Sequence, residues 1–225
     1  KDHFEIKTDS ILIKEQWQTG MLVTFESSLY PVEAEKPVIY VYPDATQQVS
    51  IRHDVNGDLG FTYPFYNKTT GWNFIADPVG NIHMNDKDYD YLFWDGATKV
   101  NAQTVDRFEG FLVQRDSLPT FFEQRLTAMG LSPRKQNDFI TYWCPLMQEH
   151  EISYVHFMFT EEYGSIATLN ITPKPDHLFR VFMLWSDGAG IDPNAIQEQK
   201  IETVEREGFT VIEWGGGKCD FFTFQ

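Results

Sequence analysis

In several runs between residues 49 and 84 apolar and polar positions alternate with period two, the pattern of strands that bury one face. Val49, Ile51, His53 and Val55 alternate with polar neighbours, and Leu59, Phe61 and Tyr63 do so after Asn56-Gly57. Asn-Gly between two such runs predicts a hairpin, because both turn residues tolerate positive φ. Trp72, Phe74 and Ala76 lead through the turn residues 77–81 to Ile82 and Met84, a second predicted hairpin. Earlier, Ile11 and Ile13, then Met21, Val23 and Phe25, read as short strands around Thr19-Gly20. Residues 36–43 break the alternation: apolar side chains on both faces predict a strand covered on both sides, with prolines fixing its ends. Residues 89–94 read as another strand, stopped by Asp95-Gly96.

The period changes in the second half. After a strand at 108–113, Ser117 caps a predicted helix running to about Met129, with Leu118, Phe121, Phe122 and Leu126 on one face and Gly130 at its stop. Ser132-Pro133 opens a second helix striped by Phe139, Ile140, Trp143, Leu146 and Met147, which Pro145 is expected to end or kink near Trp143. Strand-like runs resume at 152–159, 166–171, 178–185, 209–214 and 221–224. The pattern predicts an α+β fold: a β-rich, sandwich-like half over residues 1–102, then an αα-hairpin packed on a mainly antiparallel sheet over 103–225. The two stretches form either two domains or one continuous unit.

Composition narrows the function classes. The 225-residue chain carries 33 acidic against 18 basic residues, a formal charge of -15, and has no basic cluster of four residues, which argues against nucleic acid and anionic lipid as partners. A 42% hydrophobic content spread over the whole length argues against acidic disorder. No apolar stretch approaches the roughly 18 residues of a membrane span. The first residue is Lys1 rather than Met, which fits removal of an upstream segment and a secreted, periplasmic or cell-surface location. Cys144 and Cys219 form either one bridge or two buried thiols, and no zinc-like spacing surrounds them.

Several constellations hint at chemistry, each with a plainer reading. Asp86, Asp88 and Asp90 alternate like calcium ligands, but Tyr91 stands where an EF-hand needs Gly, and the polar edge of a turn is the plainer reading. Cys144 with His150 or His156 suggests a thiol–imidazole pair, against a buried inert thiol at a helix end. Gly215-Gly216-Gly217 reads as a turn between two strands. Glu109, beside Phe108 and Phe111, and Glu213, beside Trp214, are the carboxylates most open to desolvation and so the candidates for acid/base catalysis. Tyr63, Tyr66, Trp72 and Trp94 are the candidate rings for holding a carbohydrate or peptide. No metal or cofactor motif is present.

Beyond these patterns, KPVIYVYP at residues 36–43 is more specific. Together with Gly71-Trp72, YLFWDG at 91–96, Tyr142-Trp143, ITPKPD at 171–176, Arg180-Val181-Phe182 and GFTVIEWGG at 208–216, it resembles an uncharacterised family of bacterial proteins with a KPVIYLYP-like motif. The resemblance covers about residues 36–217 and implies no activity. Without a complete catalytic set, the first expectation is a non-catalytic ligand-binding protein for carbohydrate or peptide. A hydrolase using Glu109 or Glu213 in a carboxylate pair is the second, and a structural or protein-interaction module the third.

Overall fold

The computed structural model describes residues 5–7, 10–12, 29–220 and 222. The expected strand at Met21, Val23 and Phe25 lies outside them, as does nearly all of the one at 221–224. In chain order the strands are β1 (Glu5–Lys7), β2 (Ser10–Leu12), β3 (Leu29–Tyr42), β4 (Gln47–Val55), β5 (Gly57–Tyr63), β6 (Trp72–Ala76), β7 (Ile82–Met84), β8 (Lys87–Tyr89), β9 (Leu92–Asn101) and β10 (Glu109–Gln114). Helices α1 (Leu118–Ala128) and α2 (Pro133–Met147) follow. Then come β11 (Ile152–Phe159), the short α3 (Thr160–Tyr163), β12 (Ala167–Thr172), β13 (His177–Asp187), β14 (Gln197–Glu198) and β15 (Thr210–Lys218). The fold is α+β and β-rich. Among the described residues no helix is long and apolar enough to cross a membrane.

Three layers result, because one sheet buries both faces. The eight-stranded sheet runs β14-β10-β11-β13-β15-β3-β9-β5, and the five-stranded sheet runs β12-β4-β6-β7-β8. Ile39, Val41, Phe182, Leu184 and Val211 pack toward the five-stranded sheet. Their strand neighbours Val38, Val181, Met183, Ile212 and Trp214 pack with Phe122, Phe139 and Trp143 of the helices. This two-sided burial is why residues 38–41 and 181–185 read as unbroken apolar runs. The large sheet takes strands from both sides of residue 102, and β12 returns to pair with β4, so the two halves of the chain share their layers.

Several local expectations are overturned by tertiary contacts. Asn56-Gly57 does not close a hairpin: it carries the chain from β4 in the smaller sheet to β5 in the larger one. The tight hairpin lies instead between β7 and β8, where Asn85 and Asp86 both have positive φ, 54° and 59°. β9 continues through Asp95-Gly96, since the bare Gly96 backbone lets Asp58 of β5 approach. β3 passes Pro37 by a register shift between Ala34 and Val38, with Lys36 at φ 52°. Helix α2 runs past Pro145 to Met147, because the missing N–H falls in the final turn, where a single ladder bond is lost.

The triple glycine is a buried stretch of β15 rather than a turn. A Cβ on Gly216 would press on the Met183 carbonyl and the Trp143 indole, and one on Gly217 on the Glu33 carbonyl. The helix layer can therefore seat directly on the sheet. Gly216→Ala is expected to cost about 1–3 kcal/mol through overpacking, read as a lower denaturant midpoint; an unchanged midpoint would contradict this packing.

Candidate functional site

The charged residues on the apolar strands converge between the two sheets. Arg180 of β13 lies directly opposite Glu213 of the parallel strand β15. Its Nε donates to Glu213 Oε2 at 2.5 Å and its Nη1 to the Ala167 carbonyl at 2.7 Å. Trp94 Nε1 donates to the other Glu213 oxygen at 2.8 Å. The Tyr163 ring lies 4.0 Å from the Arg180 guanidinium carbon, and the His53 ring centroid 4.2 Å from that of Trp94. Both carboxylate oxygens are thus engaged, and Glu213 is 0% exposed.

Glu109 is remote from this cluster. It is exposed and lies on the helix side of β10, in phase with Phe111, whereas Glu213 points between the sheets. Three inter-strand spacings separate their strands, about 14 Å. Paired glycosidase carboxylates stand no more than about 9.5 Å apart. The hydrogen bonds of Glu109 are made by its backbone: the carbonyl accepts from Tyr154 Oη at 2.9 Å and faces His156 Nδ1 at 2.8 Å, and the N–H donates to the Asp106 carbonyl at 3.0 Å.

Of the four candidate rings, three are walled in. Trp72 and Trp94 are core residues, Trp72 donating to the Pro64 carbonyl at 2.9 Å. Tyr66 Oη accepts the His53 N–H at 2.9 Å and donates to the His53 carbonyl at 3.1 Å. Their rings serve packing, since no face is open to a ligand. Tyr63 differs: it is 55% exposed, between Phe61 at 61% and Phe65 at 82%.

The exposed strip exists because the helix layer is narrower than the sheet. Phe139 and Trp143 of α2 pack over Trp214 and Gly216 of β15, leaving the outer strands β9 and β5 partly uncovered. On that surface Tyr63 is paired with Phe93. Phe61 meets the Phe93 ring at 6.1 Å and Tyr63 the Tyr89 ring at 5.6 Å. Asp95 Oδ1 accepts the Phe61 N–H at 2.5 Å and fixes the irregularity between Leu59 and Thr62 that presents these rings. Toward α2 the rim is Tyr142, whose hydroxyl donates to Glu35 at 3.1 Å. Burial, and then the Glu35 and Asp95 carboxylates, push the Tyr142 pKa up to about 12, so its hydroxyl keeps its proton at neutral pH. The strip thus combines stacking faces with carboxylate acceptors and a hydroxyl.

Sequence reasoning missed Arg180, Tyr163 and Lys135. A charge inside the run at 178–185 was the available signal for Arg180. Lys135, on the first turn of α2, donates to Tyr42 Oη at 2.6 Å and sits 4.3 Å over the Tyr40 ring. Burial, then the nearby Arg206 and Arg134, lower its pKa to about 8.

The remaining constellations dissolve. Cys144 packs with the helices and Cys219 between the sheets, so the central sheet separates them and both are free thiols. Burial pushes the Cys144 thiol up to about 11. His156 lies on the inter-sheet side of β11, across the sheet from Cys144. Asp88 pairs with His83 at 2.6 Å and Asp90 with Arg134 at 2.8 Å. Among the described residues no group of three or more His, Cys, Asp or Glu is placed to hold a metal.

Comparison with known proteins gives a partial relative. A 62-residue stretch is 42% identical to the "Uncharacterized protein in bglA 3'region" of Butyrivibrio fibrisolvens, covering 27% of this chain and 65% of that protein. No known family profile matches the chain, and no solved structure matches it. This accords with the resemblance to uncharacterised bacterial proteins.

The polar cluster has a measurable signature. Burial, against the pull of Glu213, lowers the His53 pKa from 6.5 to about 4, so the folded protein holds it neutral. Between those values the unfolded chain binds a proton that the folded chain refuses. The stabilising contribution is therefore complete above pH 6.5 and lost as the pH falls toward 4, by about 3 kcal/mol. Urea titrations at pH 7.5 and 4.5 should show a smaller loss for His53→Gln than for the parent; equal losses would rule out this assignment.

Proposed function

We propose that this chain is a non-catalytic ligand-binding protein whose binding surface is the aromatic strip of β5 and β9, and that its ligand is an uncharged carbohydrate. The observation that carries the reading is the exposure of Phe61 and Tyr63 on the edge strand β5, against the Phe93 and Tyr89 rings, with Phe65 exposed just beyond the strand's end. Large adjoining rings left in water mark an interaction surface, since single exposed apolar residues need no such explanation. Aromatic faces stack on the C–H faces of a sugar ring, while acceptors such as Asp95 and Glu35 suit its hydroxyls. The same acids and the overall charge of -15 disfavour uronic or sulfated sugars. A secreted, periplasmic or cell-surface setting belongs to this reading, because polysaccharides are met there. The hydrolase reading has less support, given the separation of Glu109 from Glu213 and the enclosure of Glu213.

The strip's position on an edge strand gives the interaction-module reading one supporting observation, as a flat aromatic edge also suits a protein partner. A panel of neutral and acidic oligosaccharides titrated against the full chain separates the two. Binding of a neutral oligosaccharide is expected, weakened about tenfold in Phe61→Ala and Tyr63→Ala, in line with a loss of about 1.4 kcal/mol per ring. Tyr66→Phe, which alters a buried ring, should bind as the parent does. No binding to any neutral oligosaccharide would remove the carbohydrate reading.

A further inference from the structure

We propose that the open edge of β10 is a docking groove for an extended, neutral-to-basic peptide that adds to the sheet beside residues 111–114. At its start this edge is occupied by β14, which pairs only as Glu109↔Gln197 and Gly110↔Glu198. The chain then leaves the edge: the next residue, Gln199, turns its side chain to the Phe157 backbone, accepting its N–H and donating to its carbonyl, both at 2.8 Å. Beyond Gly110, no strand among the described residues covers β10.

The backbone phase decides what this edge offers. Arg115 N–H donates to the Glu151 carbonyl at 2.9 Å, so odd-numbered residues of β10 turn their polar groups toward β11. The Phe108 carbonyl accepts from Gln197 N–H at 2.7 Å, so even-numbered residues turn theirs outward. In an antiparallel ladder the two sets alternate strictly. The N–H and C=O of Leu112 and Gln114 therefore point into the open edge, the pairing set that strand addition uses.

A groove of about 590 Å³ lies along these groups. Phe121 and Arg125 of α1 form one wall and Pro193 with Ile196 the other. Four residues of extended chain span about 13 Å, the length of edge left open. The charge at the groove selects the partner. Its lining contains the acids Asp116 and Glu198 and one cation, Arg125, which is held 2.8 Å from Glu198 and stacked 4.6 Å over the Phe111 ring. With that cation committed and the chain at -15, a basic segment with apolar side chains toward Phe121 is favoured over an acidic one. The groove and the aromatic strip lie at opposite edges of the eight-stranded sheet, so the inference stands apart from the carbohydrate reading.

The backbone supplies a clean test. Gln114 is exposed and has φ -64°, ψ 142°, a conformation proline adopts without strain. Gln114→Pro thus deletes an outward N–H while leaving the net charge unchanged. The probe is a fluorescein-labelled hexapeptide of alternating Lys and Val, compared with its Glu-Val counterpart, in fluorescence anisotropy with the full chain at 0.15 M salt. The Lys-Val peptide is expected to bind, at least tenfold more tightly than the Glu-Val peptide. Gln114→Pro should weaken it at least fivefold, whereas Gln114→Ala and Tyr63→Ala should leave it unchanged. Thr120→Trp, which fills the groove from α1, should also weaken it and serves if the proline variant does not fold. Absence of binding would overturn the proposal. So would equal binding to Gln114→Pro and the parent, which would mean charge attraction alone, or self-association through this edge seen by light scattering.

Discussion

The ion pair between Arg180 and Glu213 is the constraint around which the rest of the molecule is arranged. Two charges taken out of water cost more than their mutual attraction returns unless their remaining donors and acceptors are satisfied. Here most of the partners come from elements far apart in sequence, the Trp94 indole from β9, the Ala167 carbonyl from the start of β12 and the Tyr163 ring from α3, while Arg180 Nη2 is buried with no hydrogen-bond partner among the described residues. The pair therefore ties the parallel strands β13 and β15 to β9, on the far side of β3, and to the start of the smaller sheet. A buried pair of this kind is weak evidence for stability but strong evidence for a specified arrangement, because removing either partner leaves a bare charge in the core.

From that arrangement follows the division of the central sheet. Its middle strands carry apolar side chains on both faces and are covered twice, by the smaller sheet and by α1 and α2. The close seating of α2 depends on Gly216, where the Trp143 indole occupies the space a side chain would take. Two helices cannot span eight strands, and so the sheet ends in two differently equipped edges. One carries exposed rings with carboxylates at their rim, and the other carries unpaired main-chain groups in a groove. Both proposed binding surfaces lie on what the helix layer leaves uncovered.

Much of the architecture was legible in the sequence. The doubly apolar run at 38–41 announced a strand buried on both faces, and the 3.6-residue stripes from Leu118 and Phe139 announced the helix pair. What misled were local signals that tertiary contacts override. Asn56-Gly57 has hairpin chemistry, yet the strands it joins enter different sheets, since turn propensity fixes a change of direction and not the partner beyond it. The triple glycine looks like a turn in isolation and is a strand because Pro37, Trp143 and Glu33 approach it. Among the candidate rings, Tyr63 and Trp72 are equally aromatic and equally close to turns; only the position of β5 at the sheet edge separates the exposed ring from the core one.

By itself the sequence determined the secondary structure of the long patterned segments and the α+β class, because periodicity is a local property. The tertiary structure alone decided which charges meet, which thiols are kept apart and which rings reach solvent. Burial and partnership depend on strand order, and Trp94, Arg180 and Glu213 become neighbours only when strands separated by 119 residues of chain are laid into one sheet.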